Sequence, residues 1–575
     1  MLFSFIIGAV SGLGGFLFVH LQELIELLTL VNLASFFPPV PGGEGGELAH
    51  EISIQTFNWW FLLIPTIGGL ISGLLVYTWA PEAEGHGTDG VIKAFHKERG
   101  YIRPQVPIIK TLASAITIGT GGSAGREGPI AQIGAGFGSI LATKLKLSHT
   151  DRRTMVVSGM AAGIGSIFRS PIGGAMFAVE CLYRDDMETE GLMPAITSSI
   201  IGYSVFAMLF GWNTIFTTPE FIFQNPLELL FYGLFALLCA LLGIFFVKVF
   251  YGIHQKVFTP LPIPKWAKPA VGGFLLGVVA LFFPHILGSG YGWVQQAIDG
   301  KMAIEIMLMA ALLKMVATGF SIGSGGSGGI FAPSLFVGAM LGGAFGGLSH
   351  ALFPDIITQP TAFVLIGMAA FFAGAANVPV SMTIMITEMT GGYSLLVPLI
   401  FASTLAFFVA RKWSIYDQQV KNHVESPAHR SDLIVDILKE VQVSNAYRTT
   451  KIPKVKNNLP VERILPIFSD NEEDFFPVAN SENEITGLIM MSNVRAVIGE
   501  DGLESVILAE DIKTPFVSLS PEGNLHEALE KFLTTGYSSL PVVESKNANK
   551  LIGVLSYRDL IKAYDDALIK WTKEK

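Results

Sequence analysis

The chain has 575 residues, of which 50% are hydrophobic and only 15% are charged, and its mean hydropathy is +0.51. This length exceeds that of one ordinary domain, and this composition excludes a wholly soluble protein. The formal net charge of −9 argues against a nucleic-acid partner, whose binding face would be basic.

Apolar stretches recur along the chain as far as residue 410 and predict a polytopic α-helical membrane protein. Several stretches are too short to cross a bilayer alone, so we expect broken helices. The stretches are residues 2–28, 57–80, 107–120, 155–168, 193–210, 227–251, 269–283, 303–320, 331–348, 362–375 and 395–410.

The first stretch lacks a basic region before it and a cleavage signal after it, so it is predicted to be a membrane helix. The two cysteines, Cys181 and Cys239, form neither a disulfide nor a zinc pattern. Basic clusters indicate cytoplasmic loops, and the acidic loop of residues 37–51 is predicted to be external. The clustered basic residues are Lys93, Lys97, Arg99, Arg103, Lys144, Lys146, Arg152, Arg153, Arg411 and Lys412.

The apolar part of the chain contains an internal repeat. Residues 117–138 align with residues 321–342, and in the same order residues 85–87 align with 288–290 and residues 171–180 with 379–388. We therefore expect two structural repeats, about residues 1–211 and 227–413, with a site near the midplane at their interface. The duplication alone leaves open whether the repeats are parallel or inverted.

The composition becomes polar after residue 413, and a second duplication follows. We predict a membrane domain of residues 1–422, a linker of residues 423–443 and two α/β units, residues 444–500 and 508–570. The predicted strands are residues 475–479, 485–490, 540–543 and 551–555, and the predicted helices are residues 460–468, 525–534 and 559–564.

Glycine-rich segments precede Pro129 and Pro333, and a proline in the first turn is a helix-start signal. Free amides and the positive end of the helix dipole attract anions at such a start. Residues 85–87 and 288–290 offer similar exposed backbone. If both repeats point these helix starts at one midplane site, their amides would together form a binding site for an anion, here called the anion cradle. Glu127, at its mouth, could occupy the anion's place when ionised and leave it when protonated.

Glycines in membrane helices also serve close packing, and we assign that role to Gly134, Gly138, Gly342 and Gly346 because of their small-xxx-small spacing. Placing the charged side chains of Arg126 and Glu127 within the membrane costs free energy, so they are expected to line a polar path or to pair with each other. A phosphate-binding loop is excluded because no Gly-Lys-Ser/Thr follows the glycines.

Four motifs occur in order: APEAEGHG at residues 80–87, GREGP at 125–129, GIFAP at 329–333, and Tyr416 after the last apolar stretch. Together they resemble the CLC family of voltage-gated chloride channels and chloride/proton antiporters. The tail resembles the paired CBS domains of many members. The resemblance implies an inverted-repeat fold of broken, tilted helices and a homodimer with one anion path per subunit. It also implies a transport protein rather than an enzyme.

The resemblance places the gating carboxylate at Glu127 and implies a set of anion ligands. For Tyr416, an interfacial aromatic anchor is the alternative role. The implied anion-binding residues are His86, Gly87, Glu127, Gly128, Ile330, Phe331 and Tyr416.

The chain departs from the family pattern at two positions. His86 stands where many members have a serine facing the anion, and it either donates a ring N–H to the anion or points away. Cys181 follows Glu180 at the position of the internal proton-transfer glutamate, and a buried cysteine is a poor proton relay. We therefore favour a channel or a weakly proton-coupled transporter. The alternative is an antiporter whose proton route bypasses Cys181.

CBS pairs in such families bind adenine nucleotides, and an acidic residue that ends a Gly-x-x-Ser/Thr-x-x-Asp run accepts the ribose hydroxyls. The second copy matches this run with Ser556 and Asp559, whereas the first has Met490 and Asn493 at these places. ATP or another adenine nucleotide is a possible ligand, although no cofactor is required. Asp559 could equally be a helix N-cap.

Other classes fit less well. An intramembrane metalloprotease with a CBS tail needs His-Glu-x-x-His, which none of the 11 histidines supplies, so no metal site is expected. A CBS-regulated magnesium transporter should cluster carboxylates within its membrane segments. We expect a multi-pass protein of the plasma or inner membrane with a cytoplasmic tail, and chloride, with or without protons, as its substrate.

Overall fold

The computed structural model describes residues 2–45, 58–223, 225–429, 437–471, 473–498, 504–545 and 547–574. Part of the predicted external loop, residues 46–51, lies outside the described residues, as do residues 430–436 of the predicted linker. The chain divides into two compact units, Met1–Ala428 and His429–Lys575.

The first unit contains two sets of eight helices among its described residues. The first set is α1 (Leu2–Glu26), α2 (Trp60–Trp79), α3 (Thr88–Lys97), α4 (Gln105–Gly119), α5 (Glu127–Lys144), α6 (His149–Ile167), α7 (Pro171–Glu180) and α8 (Leu192–Phe210). The second set is α9 (Glu228–Ile253), α10 (Lys268–Ala280), α11 (Tyr291–Ile298), α12 (Ile304–Ser321), α13 (Phe331–Leu352), α14 (Ala362–Ala376), α15 (Pro379–Thr390) and α16 (Leu396–Ala410).

Helix length varies widely within each set. In the described part of the chain, six helical segments are long and apolar enough to cross a membrane. By contrast, α3 and α7 have 10 residues each, α11 has 8 and α15 has 12, so none of these four spans a bilayer alone. The predicted broken helices are therefore present, and the chain forms a multi-pass membrane protein.

Equivalent residues of the two sets meet at one point. Gly125 and Gly329 exchange backbone hydrogen bonds, with N···O distances of 2.7 and 2.6 Å, in an antiparallel bridge. Since each residue is the other's counterpart in the repeat, this reciprocal pairing indicates an approximate two-fold axis between them. Helix α2 likewise packs on its counterpart α10, and α7 on α15. The repeats are inverted, as the family resemblance implies.

Small residues allow the helices within each repeat to approach closely. A Cβ added to Gly134 would lie 2.1 Å from the backbone oxygen of Gly159, and one added to Gly342 would lie 2.0 Å from that of Phe363. No real contact is that short, so both positions require glycine for packing, as predicted.

The second unit contains two small α/β layers. Strand β1 (Val455–Lys456) runs parallel to β2 (Phe475–Ala479), which pairs antiparallel with β3 (Ile485–Met490); β4 (Ser539–Glu544) pairs antiparallel with β5 (Asn547–Ser556). The described helices are α17 (Val461–Ser469), α18 (Met491–Val497), α19 (Ala509–Ile512), α20 (Leu525–Thr535) and α21 (Tyr557–Glu574). Each layer has its own apolar core.

The tail strands predicted at residues 475–479 and 485–490 are confirmed. The predicted helix at residues 559–564 is too short and starts too late, because α21 begins at Tyr557. Asp559 is therefore not the N-cap. Ser556 takes that place: its Oγ accepts a hydrogen bond from the Asp559 amide at 3.1 Å, while the Asp559 carboxylate accepts one from the Ser556 amide at 3.3 Å.

Candidate anion pathway

The starts of α5 and α13 face each other beside the Gly125–Gly329 bridge. Helix α5 begins at Glu127 and α13 at Phe331, each two residues before its proline, as the glycine-proline pattern predicts. The side chains of Glu127 and Phe331 are 2% and 3% exposed. A carboxylate on one side thus stands opposite an aromatic ring on the other, and free helix-start amides surround both.

A small cavity of about 10 Å³, called the inner cavity, is lined by Glu127 and has room for about one water molecule. It brings together four residues that the sequence singles out, namely Glu127, Gly128, Phe331 and Tyr416. Tyr416 is buried here rather than at a membrane surface, so its position differs from that of an interfacial anchor. The complete lining is Thr88, Glu127, Gly128, Ile164, Phe168, Phe177, Phe331 and Tyr416.

Thr88 was not singled out from the sequence. It is the first residue of α3, directly after Gly87, and its hydroxyl shares the cavity with Tyr416. Gly87 has a φ of +83°, and a Cβ there would lie 2.5 Å from the Gly128 backbone oxygen. Only glycine allows the chain to turn into α3 this close to α5.

His86 is buried beside the cavity, but it is not one of the described residues that line it. Its ring centre lies 5.4 Å from that of Tyr416, and its Nε2 lies 4.0 Å from a carboxylate oxygen of Asp89. Its Nδ1 has no hydrogen-bond partner among the described protein atoms. Ile330 is the residue just before α13 and is buried with Phe331.

Two fully buried lysines hold the glycine loops in place. Lys110 donates from Nζ to the carbonyls of Ala83 and Gly85 at 3.0 and 2.7 Å. Its repeat counterpart, Lys314, donates to the carbonyls of Ile286 and Gly288 at 2.9 and 2.7 Å. Each ammonium group thus fixes two carbonyls of its loop, and the amides of Gly85 and Gly288 are fixed in turn by the carbonyls of Gly326 and Gly121.

A larger cavity of about 110 Å³, called the outer cavity because residues 38–41 of the predicted external loop line it, is lined by Tyr291, a hydrogen-bond partner of Glu127, but not by Glu127 itself. Its polar lining includes Glu23, Glu26, Glu44, Arg126 and Tyr291. Of the two expected roles, mutual pairing of Arg126 and Glu127 is not observed, since the Arg126 guanidinium forms its ion pair with Glu44. The sequence could not reveal this pair because Glu44 is distant in the chain.

The Glu127 carboxylate is held from two directions. Its Oε1 accepts a hydrogen bond from the Tyr291 hydroxyl, and its Oε2 accepts one from the Ala332 amide at 3.4 Å. Sequence analysis missed Tyr291. The available signal was its position after Gly288-Ser289-Gly290, which repeats the position of Thr88 after residues 85–87.

Glu180 and Cys181 lie at the end of α7. The Glu180 carboxylate accepts hydrogen bonds from the amides of Val380 and Ser381, at 3.0 and 2.7 Å, and so caps the start of α15. Cys181 is fully buried, and its backbone carbonyl accepts a hydrogen bond from Gln419 at 2.9 Å. The Glu180 carboxylate therefore has a structural role as a helix cap, and Cys181 has a thiol where a proton-relaying carboxylate would stand.

In the tail, Asp559 is hydrogen-bonded by Ser556 Oγ at 2.6 Å and by Arg448 Nε at 3.0 Å. Partial burial disfavours the charged form, but these donors hold the pKa of the Asp559 carboxyl below its usual value. Asn493 accepts a hydrogen bond from the Met490 amide at 2.9 Å, in the matching place of the first copy.

These features define a multi-pass membrane protein of two inverted repeats, with a buried cavity between the helix starts of α5 and α13. The family model described as voltage gated chloride channel matches residues 68–411, and the CBS domain model matches residues 509–566. The chain therefore belongs to the voltage-gated chloride channel family, and it carries a C-terminal CBS pair.

Individual relatives and solved structures agree with this assignment. The chain is 27% identical to chloride channel protein CLC-e of Arabidopsis thaliana over 90% of its own length and 70% of the relative's. It is 31% identical to the H(+)/Cl(-) exchange transporter ClcA of Vibrio campbellii over 61% and 77% of the two chains. Its fold resembles a slow cyanobacterial Cl-/H+ antiporter, with a TM-score of 0.62, 21% identity and coverage of 71% and 93%. A eukaryotic CLC transporter gives a TM-score of 0.57, 18% identity and 97% coverage of both chains.

Proposed function

We propose that the protein passes chloride through a path that the Glu127 carboxylate closes. The observation that carries this proposal is the position of that carboxylate between the outer and inner cavities, opposite the start of α13. An ionised carboxylate occupies the place of an anion, and protonation removes the charge that holds it there. Protonated Glu127 then leaves the path, and chloride takes its position.

The anion is bound by dipoles rather than by a full positive charge. The proposed donors are the amides of Gly128, Ile330 and Phe331, together with the Tyr416 hydroxyl. Such groups bind an anion at a helix start without trapping it, which rapid passage requires. The Thr88 hydroxyl belongs to the same set, since it lines the inner cavity.

His86 and Gly87 complete the proposed site beside α3. The unpartnered Nδ1 of His86 supports a role as an adjustable donor close to the anion. We assign the adjacent Gly87 amide to the anion as well, because the turn at Gly87 brings its backbone close to that of Gly128.

We propose channel-like or weakly proton-coupled transport. Cys181 supports this, because a buried thiol replaces the carboxylate that would relay protons and the neighbouring Glu180 caps α15. The second candidate is chloride/proton exchange by a route that bypasses Cys181. The relative in Vibrio campbellii, an H(+)/Cl(-) exchange transporter, favours it.

The proposed assembly is a homodimer in the plasma or inner membrane, with the tail in the cytoplasm. We propose that the CBS pair binds ATP or another adenine nucleotide through Ser556 and Asp559, with Asn493 at the incomplete half-site. The capping hydrogen bonds that orient Asp559 support this assignment.

Chloride efflux from liposomes tests the main proposal. Purified protein is reconstituted into chloride-loaded vesicles, a potassium ionophore relieves the membrane voltage, and electrodes record external chloride and pH. We expect chloride release that protein-free vesicles lack, with little accompanying proton movement. Absence of efflux from folded protein would refute chloride transport. Uphill proton movement driven by a chloride gradient would favour the exchanger over the channel.

A further inference from the structure

The hydrogen bond between Tyr291 and Glu127 lies where the outer and inner cavities are separated. Tyr291 lines the outer cavity, Glu127 lines the inner cavity, and the Tyr291 hydroxyl donates to Glu127 Oε1. We infer that Tyr291 is a positioning residue that holds the Glu127 carboxylate across the anion path. This inference rests on the proposed function of Glu127 as the gate.

The Tyr291 ring is fixed by its surroundings. It is the first residue of α11, follows Gly290 with its φ of +87°, and is 3% exposed. The Phe216 ring packs edge-on at 5.8 Å, and the Arg126 guanidinium carbon lies 5.5 Å from the ring centre. A hydroxyl on a ring held this firmly loses little entropy when it binds a carboxylate.

The loop before α11 is also anchored. The Gly288 carbonyl accepts from Lys314, and the Gly288 amide donates to the Gly121 carbonyl at 3.1 Å. The hydroxyl therefore has a defined position relative to the glycine-rich segment that leads to Glu127. The repeat gives this arrangement an inner counterpart, because Thr88 begins α3 as Tyr291 begins α11 and presents its hydroxyl to the inner cavity.

A hydroxyl donor favours an ionised carboxylate over a protonated one. In the described residues, the other charged or titratable groups that face Glu127 are Arg126 on its own segment and Tyr416 after α16. Arg126 is directed to Glu44, and Tyr416 approaches from the inner cavity. Tyr291 is thus the side chain that holds the carboxylate from the outer side, and its loss should release the gate.

The test is the substitution Tyr291→Phe, which keeps the ring and removes the hydroxyl. We expect chloride efflux at neutral pH to rise about tenfold, as one lost hydrogen bond to a charged group implies. The midpoint of the efflux-versus-pH profile should move up by about one pH unit. Tyr232→Phe is the matched control, because Tyr232 is equally buried and donates to Glu228 at 3.1 Å. It should leave both quantities unchanged.

Repeating the substitution in a variant without the Glu127 carboxylate separates an effect on the gate from effects of Tyr291 elsewhere. In Glu127→Ala protein there is no carboxylate to hold, so adding Tyr291→Phe should change efflux no further. The inference is overturned if Tyr291→Phe leaves the wild-type rate and pH profile unchanged, or if it changes efflux by the same factor with and without Glu127. Failure of the proposed gate is distinguishable, since Glu127→Ala would then transport like the wild type.

Discussion

Asp559 illustrates how one carboxylate serves the fold and offers a ligand site. It closes the first turn of α21 and accepts a hydrogen bond from Arg448. A ribose that binds there must replace Arg448 while the bonds from Ser556 remain. The hydrogen bonds from Ser556 and Arg448 lower the pKa of the Asp559 carboxyl and so stabilise its ionised form. The resulting contribution of Asp559 to folding stability is present above the usual pKa of an aspartate. It is lost as the pH falls through the lower pKa of the folded state.

We expect Asp559→Ala to weaken ATP binding to the full-length protein about tenfold or more, because the ribose loses a charged acceptor. Equilibrium dialysis with radiolabelled ATP measures the change. Asp511→Ala is the control, since Asp511 closes the first turn of α19 in the same way by accepting from the Leu508 amide at 2.9 Å. Equal ATP binding by wild type and Asp559→Ala would contradict the assignment.

Residues of the proposed anion site could be selected from the sequence where a local motif contains them. Glu127, Gly128 and Phe331 stand in glycine-proline segments whose helix starts follow from backbone chemistry. Thr88 and Tyr291 could not be assigned, because their importance comes from tertiary neighbours on other helices. Only their shared place after a glycine-x-glycine turn connects them in sequence.

At the scale of whole elements, α7 and α15 cap each other. Glu180 at the end of α7 accepts from two amides at the start of α15. In return, Glu388 near the end of α15 accepts from the Gly173 amide at 2.8 Å and the Ser170 hydroxyl at 2.5 Å. Each short helix thus places a carboxylate at the positive end of the other's dipole.

We expect Glu388→Gln to destabilise the membrane unit by about 1–3 kcal/mol, because a charged acceptor at a helix start is lost. Thermal unfolding in detergent, followed by intrinsic fluorescence, should show a lower midpoint. Glu305→Gln is the control, since Glu305 lies in the first turn of α12 but is exposed to solvent. Equal midpoints for Glu388→Gln and wild type would show that the reciprocal caps contribute little.

Hydropathy located most of the longer helices, but it located neither α5 nor the four short ones. Helices α3, α7, α11 and α15 contain 8 to 12 residues and fall below the length that a membrane-span criterion detects. The repeat aligned the glycine and proline residues at their starts, but this alignment was not used to predict the four helices. Helix ends such as the start of α21 were missed because a cap depends on side-chain geometry.

For the whole molecule, duplication followed by divergence explains the one-sided gate. The two inverted repeats place Glu127 and Phe331 at equivalent helix starts, and only one of them carries a carboxylate. In our proposal, the two repeats together bind the anion, and the carboxylate that only the first repeat carries closes the path. Sequence comparison within the chain predicted the duplication, the reciprocal Gly125–Gly329 bridge indicates its two-fold relation, and the likeness to CLC structures shows its inverted sense.

The central claim is that protonation of Glu127 opens the chloride path. The most direct measurement compares the pH dependence of chloride efflux in vesicles containing wild-type protein and Glu127→Gln, with Glu305→Gln as an exposed control. We expect wild type and Glu305→Gln to transport faster as the pH falls, because protonation releases the carboxylate. Glu127→Gln should be fast and independent of pH. A Glu127→Gln profile that keeps the wild-type rise at low pH would contradict the account.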